Sequence, residues 1–287
     1  WYNQPACGDV IDRHSYKKAP TVSPDDTRIG VGGEFGGFGY SVDNHLWIPD
    51  QKTSSVYGTA VDKRHYEHLL VKVWKEVFEI SNRLGMSAAV YTQLTDVEAE
   101  INGLLTYDRK VIKMTPELIR NAVLKQEFPE LPKYESLVPT SEKEPQEYLY
   151  TLKTPASNWY MSDADRSLWL KAEGVIGFKK HRNSTIHIKT EWKTPEIWVA
   201  RSFDLPKFPL KRPVIRIAYD EDAAVYVNGV QALDLKKGNN TRHTNYPMPV
   251  KVAKTLKEKG NIITIHVKNR KESQYIDVGI GEESITW

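Results

Sequence analysis

The chain has 287 residues, of which 40% are hydrophobic and 27% charged, and its net charge is +3. This composition fits a folded chain of two ordinary domains and excludes a disordered polymer. The weak net charge, with lysines scattered rather than blocked, excludes a strong field for nucleic acid, and no apolar run approaches the ~20 residues needed to cross a bilayer.

A single cysteine, Cys7, permits neither an intrachain disulfide nor a cysteine metal site. Residues 1–5 have no basic or apolar leader character, so they are not read as a signal peptide. The chain starts without Met and runs almost at once into a strand-like segment, so it is expected to be a piece of something larger.

Taken in order, 8–14 (GDVIDRH), 28–35 (RIGVGGEF) and 87–92 (SAAVYT) read as short strands buried on both faces of a parallel sheet. Between the second and third, 62–84 reads as a helix. Leu69, Leu70, Val73, Trp74, Val77, Ile80 and Leu84 form its apolar stripe, and Gly85 is its C-cap. His65 and His68 on this helix lack a HExxH pattern and read as surface residues. A second helix is expected over 116–126, with Thr115 as N-cap and Pro116 in the first position. Alternating strands and helices mean βα units. Three strands cannot close a (β/α)8 barrel, so this region is either a small α/β domain or part of a barrel.

Residues 126–147 carry four prolines and many charges, as a linker or surface strap would. Beyond 148 the pattern alternates with period two at 186–190, 196–203, 214–219, 224–227 and 262–267, with a hairpin signal at Val227-Asn228-Gly229-Val230. This reads as an all-β sandwich whose only helix is at 252–259.

The densest chemical signal is Gly30 to Gly37. A dinucleotide fingerprint starting at Gly30 needs Gly at 35, where Phe stands, so a strand ending in a glycine-flanked carboxylate, Glu34, is the better reading. Asp96, Glu98 and Glu100 suggest a metal but fit a turn with solvated charges better. His14 is read as a ligand contact or a structural hydrogen-bonder, and His45 as part of a site or of a packed loop. The 8 Trp and 15 Tyr suit cores and also sugar faces.

The run GEFGGFGYSVDNHLW, followed by YGT, a long helix and AAVYTQLTDVEAEINGLLTYDR, resembles the last barrel strands of glycoside hydrolase family 2. The resemblance covers about residues 8–113 and carries several expectations. Residues 1–125 are the C-terminal part of a bacterial (β/α)8 barrel, and Glu34 is the nucleophile of a retaining exo-glycosidase. His14 and Tyr16 lie at the sugar rim, His45, Tyr91 and Gln93 contact substrate, and Tyr16 or Tyr91 donates a hydrogen bond to Glu34. The partners implied are a carbohydrate and the missing N-terminal part of the same enzyme, in a periplasmic or extracellular location.

The family's acid/base, a Glu following Asn, has no match in this chain. Where many members carry Trp at the end of the eighth strand, this sequence reads Tyr-Thr-Gln. The run IWVARSFDL through IRIAYDEDAAVYVNGV resembles galactose-binding-like jelly-roll modules, which places such a module at 148–287. Trp159, Trp169, Trp192 and Trp198 are its candidate sugar-facing rings, and its loop acids suit a structural Ca²⁺. No other cofactor is expected. The competing reading is a non-catalytic carbohydrate-binding or structural sandwich.

Overall fold

The computed structural model describes residues 8–49, 51, 58–178, 187–269 and 274–284; Cys7, the first five residues, Tyr57 and Ile186 lie outside them. The chain is mostly β-sheet with few helices and divides into two compact units, one up to residue 131 and one over 132–285.

In the first unit β1 (Val10–Tyr16), β2 (Ile29–Gly36) and β3 (Ala88–Thr92) form a parallel sheet in that order. The connection from β2 to β3 contains α1 (Lys63–Leu84). Asp62 caps α1 by accepting the His65 amide at 2.7 Å, and Gly85 ends it in the left-handed region at φ 74°. Its apolar stripe packs on one sheet face: Phe35 joins Tyr66, Leu70, Val73, Val77 and Met86 in a single buried cluster.

The opposite face is bare in this unit. Val10 is 44% and Val90 55% exposed, so the expectation of strands buried on both faces is corrected. Only α1 supplies a covering stripe, and the described strands close no barrel. His65 is also corrected: it is buried beside the helix start, and His68 is half-buried.

After β3, α2 (Pro116–Arg120) runs on into one π turn over Asn121–Lys125. Thr115 occupies the N-cap position without capping. Its hydroxyl and its amide both donate to the buried Glu67 at 2.7 Å, because that carboxylate needs partners more than the solvated helix start does.

Among the described residues the second unit contains ten strands. The first six are β4 (Tyr134–Val138), β5 (Glu147–Thr151), β6 (Leu170–Glu173), β7 (Ile176–Gly177), β8 (Thr190–Glu191) and β9 (Glu196–Phe203). The others are β10 (Pro213–Val227), β11 (Val230–Pro247), β12 (Asn261–Lys268) and β13 (Tyr275–Glu283).

Register shows how one long strand makes two leaves. Residues 213–219 of β10 pair with β13, and 222–227 pair with β12, while β11 follows β10 along its length. One leaf continues from β12 through β9 and β5 to β6; the other carries β7 and β4 on β13. Ile215, Ile217 and Val278 from one leaf share a buried cluster with Val225, Ile263 and Ile265 from the other, as in a sandwich.

The Asn228-Gly229 turn has φ 48° and 82°, which a type I′ hairpin requires. Residues 134–138, within the segment read as a linker, are a sandwich strand instead: β4 pairs with β13. The helix expected at 252–259 shortens to one turn, α3 (Val250–Ala253). Of the alternation at 186–190, the described part contributes only the two-residue β8 at its end.

Candidate active site

Period-two alternation puts Asp12, His14 and Tyr16 on the same face of β1, the face turned away from α1. Glu34 joins them from β2. Its neighbour Phe35 points into the α1 core, so Glu34 points the other way. The register explains how Glu34 comes level with His14: Asp12 pairs with Val31, but His14 pairs with Glu34, so β2 carries one extra residue over Gly32-Gly33. The same extra residue appears against β3, where Gly32 pairs with Ala89 and Phe35 with Tyr91. Bulges of this kind re-aim side chains beside functional sites.

The bulge is pinned by Asp12, whose Oδ1 accepts the Gly33 amide at 2.8 Å. A Cβ on Gly33 would collide with that carboxylate, so the close approach needs glycine. The other oxygen of Asp12 lies 2.9 Å from His14 Nε2, and His14 Nδ1 lies 3.7 Å from Glu34 Oε2. The Tyr16 phenol donates to Glu34 Oε2. Glu34 keeps a side-chain exposure of 40%, so it is oriented by neighbours yet open to a ligand.

Of the residues singled out in the sequence, Glu34, His14 and Tyr16 come together. Tyr91 does not join them: it lies on the α1 side, edge-on to Phe35 with centroids 5.5 Å apart, and fills the space beside Gly36 at φ 85°. Burial pushes its phenol well above the usual range. Tyr16, and not Tyr91, is therefore the donor to Glu34. Gln93 follows β3 and donates to Asn102 Oδ1 at 2.8 Å.

His45 belongs to a second cluster, made by the loops that follow β2 and β3. Its Nδ1 lies 2.8 Å from Asp108 Oδ2. The Thr106 hydroxyl, first, and His45 hold the Asp108 carboxyl down at about 2. The same two loops are tied by Tyr40 N to Ile101 O at 2.9 Å and by Lys113 Nζ to Tyr40 O at 2.8 Å.

The acidic string is only partly a solvated turn. Asp96 is buried and pairs with Lys113 at 2.6 Å while accepting the Gly103 amide, and Glu100 accepts from Asn102 and Gln93. Among the described residues no three His, Cys, Asp or Glu side chains are grouped to hold a metal. In the sandwich, Trp192 and Trp198 are buried, Trp159 packs edge-on against Tyr226, and Trp169 lies under Arg166.

Sequence reasoning passed over Asp12, although its two-residue steps to His14 and Tyr16 place all three on one strand face. It also passed over Asp108, which no local pattern links to His45.

No family model and no curated protein matches the chain. Among solved structures the similar ones are glycosidases. They include a β-glucuronidase of Bacteroides uniformis, at 16% identity and TM-score 0.37, over 50% of this chain and 18% of that one. A β-glycosidase of Bacteroides vulgatus matches at 13% identity and TM-score 0.34, over 52% and 20%. A β-glucuronidase of an uncultured Clostridium sp. matches at 14% and TM-score 0.35, over 54% and 30%. The chain thus spans less than a third of each of these proteins.

Proposed function

We propose that the chain supplies the nucleophile side of a retaining glycosidase centre, with Glu34 as the attacking carboxylate. The observation that supports this most is the meeting of Glu34, Tyr16 and His14 on one open strand face, at the end of a glycine bulge. The motif resemblance of residues 8–113 supports it independently.

In such a reaction one carboxylate attacks the anomeric carbon while a second carboxyl group, about 5–5.5 Å away, protonates the leaving oxygen. Water then releases the sugar from the ester, with the second group now acting as base. Tyr16 holds the Glu34 oxygen in line for attack. His14 stands where a sugar hydroxyl would be held. The acid/base carboxyl comes, in this proposal, from polypeptide beyond these 287 residues, and the chain by itself does not turn over substrate. The sugar comes from the class of pyranosides; His45 and Gln93, on the loops after β2 and β3, extend the rim.

The test is kinetic, in the longest native polypeptide that contains the chain. Glu34→Gly should lose at least 10⁴-fold in kcat on aryl β-glycosides, on the order of 5 kcal/mol of transition-state stabilisation. Added azide should restore turnover and give the α-glycosyl azide, since the small anion enters from the side Glu34 vacates. Full turnover in Glu34→Gln would remove Glu34 from the nucleophile role.

The alternative, a sandwich that binds carbohydrate through exposed rings, draws less support. Two of its four tryptophans, Trp192 and Trp198, are buried at 1% and 5% exposure, and Trp159 and Trp169 are half-buried against Tyr226 and Arg166.

A further inference from the structure

The loop after β2 leaves an indole in solvent. Trp47 is 59% exposed, yet its position is built rather than loose. The Tyr107 ring meets it edge-on, with centroids 5.7 Å apart and planes at 83°. Two residues before Trp47, His45 is hydrogen-bonded to Asp108, one residue beyond Tyr107, so a single clamp ties both loops beside the rings. Asp108 is itself held by the Thr106 hydroxyl at 2.7 Å and the Lys110 amide. The Gln51 side chain ties the far end of the first loop to Ala99 O.

An exposed tryptophan left free would fold back onto its own loop, because the large ring gains by leaving water. Here the edge contact and the clamp present one indole outward. Exposed Asp43 and Asn44 precede it, His45 and Asp108 flank it, and exposed Ile48 follows it. An apolar face ringed by acceptors and donors suits a pyranose, whose axial C–H bonds make a flat apolar face while its hydroxyls radiate from the edge. Both loops leave the C-terminal ends of β2 and β3, the end at which Glu34 stands.

We propose that Trp47, backed by Tyr107, is a stacking platform for a sugar ring of a β-linked saccharide, lying beyond the ring that Glu34 attacks. Selection would fall on gluco-type rings, whose equatorial hydroxyls leave a C–H face clear. This rests on the glycosidase reading for its place in a substrate, although the binding itself does not require Glu34 to react.

The experiment is a fluorescence titration of the longest native polypeptide containing the chain, in a Glu34→Gln background so that nothing is hydrolysed. The probes are cellobiose, mannobiose and lactose, each against glucose, mannose and galactose. A disaccharide is expected to quench tryptophan emission and to bind at least tenfold more weakly in Trp47→Ala. Trp47→Phe should keep part of the affinity, and Tyr107→Ala should lose an intermediate share. Thermal midpoints of all variants should match the parent, because Trp47 is exposed.

No saccharide response, or equal affinity in Trp47→Ala, overturns the platform. If Trp47→Ala loses binding while Glu34 fails its own rescue test, the platform stands as a binding site and only the catalytic reading falls. If Glu34 passes and Trp47→Ala binds normally, the platform alone falls.

Discussion

In the sandwich, β10 runs through both leaves, and Ile215, Ile217 and Val225 on it have no solvent exposure. In the α/β unit, β1 alternates between half-buried and exposed residues, and its polar face carries the exposed Asp12 and His14. Their polar groups differ in the same way. Sandwich Asp277 is fully buried and saturated: it accepts the Ser141 amide and hydroxyl and the Tyr148 phenol at 2.7–2.8 Å, and it faces His243 at 2.6 Å. Asp12, His14 and Glu34 are each at least 40% exposed, so a ligand can reach them. A saturated buried carboxylate specifies a fold; an oriented and open one specifies a site.

The largest expected break in this contrast comes from the closed core. Ile217→Ala should destabilise the sandwich by about 2–5 kcal/mol, read as a lower urea midpoint and faster amide exchange in β12. A change below about 1 kcal/mol would mean that the sandwich core repacks freely.

Acid should separate the units next. Burial pushes His65 down to about 3, so its folded form takes up fewer protons than the unfolded chain, which titrates near pH 6.5. Its contribution is therefore complete above about pH 6.5 and declines as pH falls toward 3, by up to about 4 kcal/mol. In the sandwich, Arg216 holds Glu142 at about 2 through two 2.6 Å contacts, so that contribution is complete above the ordinary Glu range and is lost only as pH falls toward 2. Between pH 6 and 5, hydrogen exchange in α1 should accelerate while β10 stays protected. His65→Gln should flatten the α1 response; parallel loss in both units would contradict the assignment.

These differences also show what a sequence can disclose. The helix stripe, its Gly85 cap, the 196–203 strand and the Asn228-Gly229 turn are local signals, and each forms where the pattern puts it. Glu34 was legible because its glycines are neighbours in the chain. His65 was misread because its burial depends on how the residues flanking the helix start fold over it, which its own spacing does not encode. The role of β4 was hidden for a similar reason: its partner, β13, lies some 140 residues away, so prolines and charges dominated the reading. Tyr91 sits on the core face of β3, and the bulge in β2 that sets its register against Glu34 has no signature beyond a glycine pair.

Two smaller effects sharpen the comparison. Asp12→Ala should cost about 1 kcal/mol, with a selective rise in exchange of the Gly33 amide that it pins. An unchanged Gly33 amide would show that the bulge holds itself. Glu142→Gln should cost below about 1 kcal/mol at neutral pH, since the pair is partly exposed, while flattening the acid limb of sandwich unfolding.

The central claim concerns Glu34, and covalent trapping reaches it most directly. A 2-deoxy-2-fluoro glycoside with a dinitrophenyl leaving group departs without a proton donor, so it asks only for a nucleophile. Incubated with the longest native polypeptide containing the chain, it should add one fluorosugar mass, and peptide mapping should place that mass on Glu34. A label on another carboxylate, with Glu34 unmodified, would contradict the account.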